Sequence, residues 1–142
     1  MNDKAFLDTN LLIYAIDTSP QEKRKREVAR ESVKEHIINE NGVISIQVLK
    51  EFYQLSTKKT QRPLSTEEAL EFLHYISILE TVLPDYHMVV SAVHLHKDKK
   101  VSFWDAMILQ SALAADCSRV LSEDLQDGFR INNMVLLNPF KK

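Results

Sequence analysis

The chain has 142 residues, 27% charged and 44% hydrophobic, with a net charge of −2. That length suits one domain over residues 1–142 with a sizeable core, and the near-neutral balance excludes an overall basic glove for nucleic acid, so a polyanion must be met by local clusters. With two glycines and one cysteine, a glycine-rich phosphate loop and an internal disulfide are excluded, and with no apolar run of signal-peptide or membrane-spanning length the expected location is cytoplasmic, away from any membrane.

In chain order, Lys4 to Leu7 reads as a strand that leads straight from Met1-Asn2-Asp3, and Asp8-Thr9-Asn10 separates it from an apolar helix over Leu11 to Ile16. Asp17-Thr18-Ser19-Pro20 is a break that starts a polar helix over Gln21 to Asn39, because Thr18 or Ser19 can cap and proline suits a first helical position. Asn41-Gly42 is expected to close it. A second strand at Val43 to Ser45 precedes a helix over Gln47 to Thr57 with an apolar stripe of Val48, Leu49, Phe52 and Leu55. Lys58 to Pro63 is a basic loop, and Ser65-Thr66-Glu67-Glu68 is a capping box that opens a helix through Ile78. Glu80 to Leu83 predicts a third strand, Asp85 caps a helix to about His96, and Lys97 to Lys100 reads as a charged loop. Ser102 caps a helix from Phe103 to about Ala115. Val120-Leu121 and Met134 to Leu137 are the last two strands, with Ser122 to Arg130 irregular between them. Short apolar strands alternating with helices predict a parallel sheet covered on both faces, an α/β fold in three layers.

Four acids fall at the edges of apolar segments, where a free carboxylate is costly unless paired or bound to a metal. Asp8 ends the first strand, Glu51 borders the stripe of the helix after the second, Asp105 lies in the first turn of the Phe103 helix, and Asp124 follows the fourth strand. Each has a plainer reading. Asp8 or Asn10 can cap a helix, Glu51 can be solvated, Asp105 can complete a capping box with Ser102, and Asp124 and Asp127 are ordinary turn residues. In a parallel sheet, however, all four arise at the same end, where open α/β sheets bind ligands. Carboxylates gathered there repel one another, and a hard divalent cation relieves this. Oxygen donors without His or Cys favour Mg²⁺ or Mn²⁺ over Zn²⁺. None of the histidines is spaced with acids as a zinc site requires.

The stretches Phe6-Leu7-Asp8-Thr9-Asn10-Leu11-Leu12-Ile13-Tyr14-Ala15, Ile44 to Tyr53, Ser102-Phe103-Trp104-Asp105-Ala106 and Leu121 to Asp127 occur in an order that resembles a PIN domain, most closely the VapC-type toxin ribonucleases. The resemblance covers nearly the whole chain. It implies a five-stranded parallel sheet flanked by helices, an acidic Mg²⁺ or Mn²⁺ pocket and metal-dependent RNA hydrolysis. By motif position it makes Asp8, Glu51, Asp105 and Asp124 the core carboxylates and metal ligands and Asp127 an accessory acid. Thr9, Asn10 and Ser122 then orient carboxylates or water. It further implies a homodimer and a small antitoxin protein that neutralises the groove.

An acidic pocket repels phosphate, so basic residues must admit RNA. Lys23-Arg24-Lys25-Arg26 with Arg30, Lys58-Lys59 with Arg62, and Lys97-Lys99-Lys100 are the candidates, a solvated charged face being the alternative. Tyr53 and Trp104 are candidates to stack on an unpaired base, with packing the favoured role for Trp104. Three other functions compete: first a PIN nuclease outside the toxin group, acting in RNA processing or on structured DNA, second a receiver-like signalling module, and third a nuclease-dead binding module, against which the intact acid set argues. The second needs a phospho-accepting Asp after a central strand and a Lys after a late one. Here the second strand ends at Ser45, and no Lys follows the fourth.

Overall fold

A computed structural model describes residues 3–141; Met1 and Asn2, expected to lead into the first strand, and Lys142 lie outside them. The elements are β1 (Ala5–Leu7), α1 (Thr9–Ile16), a 3₁₀ turn (Pro20–Glu22), α2 (Lys23–Ile38), β2 (Gly42–Ser45), α3 (Ile46–Lys58), α4 (Thr66–Ile76), β3 (Glu80–Val82), α5 (Tyr86–Lys99), α6 (Phe103–Ala114), β4 (Arg119–Leu121), β5 (Arg130–Ile131) and β6 (Met134–Leu137). They form one sheet in the order β3-β2-β1-β4-β6-β5, with helices in layers on its two faces.

Five strands run parallel as expected, and a sixth, β5, pairs antiparallel with β6. Arg130 and Ile131 are the whole of β5, too short to carry an alternating pattern, so the sequence shows only irregular chain there. At the centre, Ala5, Phe6 and Leu7 are fully buried, as a strand covered on both faces requires. The register sets Leu7 of β1 beside Leu121 of β4. The residues that follow, Asp8 and Ser122, are therefore neighbours, and the Asp8 N–H donates to the Leu121 carbonyl at 3.1 Å. The chain leaves β1 towards β2 on one side and reaches β4 on the other, so the crevice between these strand ends is the switch point of the sheet.

Helix α4 stops at Ile76, two residues short of the expected Ile78, and the ends of α2 and α5 differ from expectation as well. Gly42 does not close α2: Asn39 is the cap, Glu40 takes the left-handed conformation at φ 55°, and Gly42 begins β2. Its absent side chain matters for packing, since a Cβ there meets Leu79 Cδ2 at 2.8 Å and His36 Cβ at 3.0 Å. Helix α5 runs to Lys99, through most of the expected charged loop, and ends at Lys100 in the left-handed conformation. His96, Lys97 and Lys99 in its last turn suit the negative end of the helix dipole. The capping box of α4 forms as read, with Ser65 and Glu68 each accepting from the other's N–H.

Candidate active site

Asp8 is the N-cap of α1 and is buried, so capping and a place in the crevice coincide in one residue. Its Oδ1 accepts from the Thr9 N–H at 2.7 Å and its Oδ2 from the Ser122 hydroxyl at 2.7 Å. Burial pushes its carboxyl up to about 6 against these two hydrogen bonds, and the negative charges of Glu51 and Asp105 add to the rise. Thr9, the first residue of α1, donates its hydroxyl to Glu51 Oε1 of α3 at 2.8 Å.

Across the crevice, Asn10 ties α1 to the turn after β4. Its Nδ2 donates to the Ser122 hydroxyl at 3.1 Å and to Asp124 Oδ2 at 3.2 Å, while its Oδ1 accepts from the Glu123 N–H at 3.1 Å. Ser122 accepts in turn from the Asp124 N–H at 3.2 Å. Asp105 differs from its plainer reading. Ser102 caps α6 by accepting from the Asp105 N–H at 3.0 Å, but the Asp105 carboxylate does not bond back to Ser102 as a capping box would. It faces the crevice with no hydrogen bond or ion pair among the described residues.

Asp8, Glu51, Asp105 and Asp124, with Thr9 and Asn10, line one cleft of about 570 Å³. No His or Cys borders it. Its oxygen-only donors and its buried, electrostatically crowded Asp8 fit a hard divalent cation such as Mg²⁺ or Mn²⁺. Among the described residues, no three His, Cys, Asp or Glu groups already converge as ligands on one point, since Glu51 is turned to Thr9 and Asp124 to Asn10. Asp127 is placed elsewhere. Its Oδ1 accepts from the Asn138 N–H at 2.8 Å and its Oδ2 lies 3.4 Å from Lys141 Nζ, and these contacts hold its carboxyl below the usual range.

The basic clusters divide. Arg24 donates to the Phe140 carbonyl, Arg26 to those of Asp17 and Ser19, and Arg30 to that of Ala15, while Lys25 pairs with Glu123. These side chains pin the first half of α2 to the body. Lys23, Lys58 and Arg62 are exposed outside the cleft lining. Lys59 lies on the cleft wall, next to Thr60 and Gln61.

Trp104 corrects the packing expectation, since it is 64% exposed and stands on the cleft wall beside Asp105. Sequence reasoning also missed Tyr14, Asp17, Gln21 and Gln47 in the lining. Gln21 and Gln61 bridge the mouth through an amide hydrogen bond of 2.8 Å. Helical phase signalled two of these positions, Tyr14 four residues after Asn10 and Gln47 four before Glu51.

The profile of the PIN domain matches residues 5–130, and the chain belongs to the PIN-domain family. A search of the curated proteins finds no match. Among solved structures, the fold is similar to a chain of a toxin–antitoxin complex from Klebsiella pneumoniae, at 17% identity and a TM-score of 0.70, covering 96% of this chain and 98% of that one. It is also similar to a chain of DNA-bound VapBC from Salmonella typhimurium, at 25% identity and a TM-score of 0.64, covering 94% and 96%. A third similar structure is VapC20 of Mycobacterium tuberculosis, described as a sarcin–ricin loop cleaving toxin, at 14% identity and a TM-score of 0.60, covering 82% and 87%.

Proposed function

We propose that the chain is a metal-dependent endoribonuclease and the toxin of a toxin–antitoxin pair. The observation that carries this reading is the meeting of Asp8, Glu51, Asp105 and Asp124 in one cleft at the carboxyl ends of the central strands. Asp8 and Asp105 are the ligands for Mg²⁺ or Mn²⁺, with Glu51 and Asp124 contributing directly or through water. When bound, such an ion polarises a phosphoryl oxygen and lowers the pKa of a coordinated water. The rest is done by the chain. Ser122 and the Thr9 N–H orient Asp8 and favour its ionised form against burial, Thr9 holds Glu51, and Asn10 holds Asp124. Lys59 on the wall offers positive charge to phosphate, and exposed Trp104 offers a face on which an unpaired base can stack. The likeness to toxin–antitoxin structures supports a small antitoxin partner, and the description of VapC20 supports RNA as substrate.

The test is cleavage of a mixed RNA pool by purified protein with Mg²⁺, with Mn²⁺ and with chelator, beside Asp8→Asn. The wild type is expected to cut only with metal, and Asp8→Asn to lose at least about a hundredfold in rate while remaining folded. A folded Asp8→Asn protein that cuts at the wild-type rate ends this assignment.

A further inference from the structure

We infer that Lys25 is a positioning residue: it acts through Glu123 to fix the turn that presents Ser122 and Asp124 to Asp8 and Asn10. This role rests on the nuclease reading above. Lys25 lies in the first turn of α2, where a cation opposes the positive end of the helix dipole, so helical preference does not account for it. Its tertiary contacts do. The ammonium donates to Glu123 Oε2 at 3.0 Å, to Glu123 Oε1 at 3.1 Å and to the Tyr14 hydroxyl at 3.3 Å. These contacts commit the ammonium to Glu123 and Tyr14. Tyr14 closes the triangle by donating its hydroxyl to Glu123 Oε1 at 3.1 Å.

The surroundings hold this group in place. The Lys25 ammonium lies 4.9 Å from the centre of the Tyr14 ring and 5.8 Å from that of Phe140, and those two rings meet edge to face at 4.9 Å. One contact set thus joins α1, α2, the turn after β4 and the segment after β6. Glu123 is the middle residue of Ser122-Glu123-Asp124, so fixing its side chain fixes both neighbours. Its own N–H donates to Asn10 Oδ1. Lys25 also neutralises a carboxylate that would otherwise add a further negative charge beside Asp124. It does not line the cleft, which separates its role from contact with substrate.

The test compares wild type with Lys25→Met, Glu123→Gln, the double variant and Lys25→Arg. In metal-free protein, Lys25→Met is expected to speed hydrogen exchange of the Glu123 and Asp124 amides about tenfold and to leave the amides of β1 unchanged. In RNA cleavage, kcat is expected to fall about ten- to hundredfold with KM within about twofold, as for other residues that orient metal-site groups. The double variant should be no slower than the slower single, and Lys25→Arg, which still pairs with a carboxylate, should recover most of the rate. Unchanged exchange, a raised KM with intact kcat, or additive losses overturns the inference. A wild type that cuts no RNA with either metal overturns the nuclease reading instead, and the exchange comparison still decides whether Lys25 holds the turn.

Discussion

Asp8 combines the roles of helix cap, hydrogen-bond acceptor and buried charge. Its carboxyl, ordinarily near 3.8, is pushed up to about 6 by burial and by the charges of Glu51 and Asp105. The folded protein therefore binds this proton more tightly than the unfolded chain does. In metal-free buffer the contribution is most favourable below about pH 4, is lost as pH rises from about 4 to about 6, and above that remains as a penalty of about 3 kcal/mol. Asp8→Asn removes the penalty. Its melting temperature in chelator at pH 7.5 is expected to exceed that of the wild type, with a flatter pH dependence between 4 and 6. A lower melting temperature contradicts this account. In the proposed reaction Asp8 acts in its ionised form, so activity is expected to fall as pH drops through this range.

At the scale of elements, Asp8, Glu51, Asp105 and Asp124 are each delivered by a junction between a strand and a helix or by a helix packed on the sheet. Helix α3 carries Glu51, and the next residue, Phe52, is fully buried and stacks on Phe72 of α4 at 4.8 Å. Phe52→Ala is expected to cost about 3–5 kcal/mol, measured by denaturant unfolding; a loss under 1 kcal/mol would show that this pair does not anchor the helix. Positions of this kind were legible in the sequence because strand–helix alternation fixes which end of a parallel sheet each junction reaches. Asp8 after β1 and Asp124 after β4 follow from that rule, whereas Asp105 opens α6, which follows α5 and not a strand, and only its motif marked it. What the sequence did not reveal depends on distant partners. Asn10 meets Asp124, and Lys25 meets Glu123, only because the β1–β4 register brings their segments together. Local pattern left Lys25 indistinguishable from a free basic surface and Trp104 indistinguishable from core.

Across the whole molecule, no helix among the described residues is long and apolar enough to cross a membrane, yet one face is markedly apolar. Tyr86, Val89, Val90 and Val93 follow helical spacing along α5, and all are exposed together with Leu83 in the segment before it. We propose that the homodimer expected from the family resemblance forms through this stripe on α5. Light scattering of the purified protein is expected to give twice the chain mass, and Val90→Glu with Val93→Glu to give the monomer; a wild-type monomer at micromolar concentration contradicts the assembly. Helix α5 does not line the acidic cleft, so the cleavage machinery proposed here is complete within one chain.

Binding of Mn²⁺, followed by electron paramagnetic resonance and titration calorimetry, tests the central claim most directly. Wild-type protein is expected to bind the ion, and Asp8→Asn and Asp105→Asn to weaken it at least about tenfold while retaining wild-type circular dichroism. Equal affinity in all three proteins would mean that the ion sits elsewhere and that the gathered carboxylates do not form the metal centre.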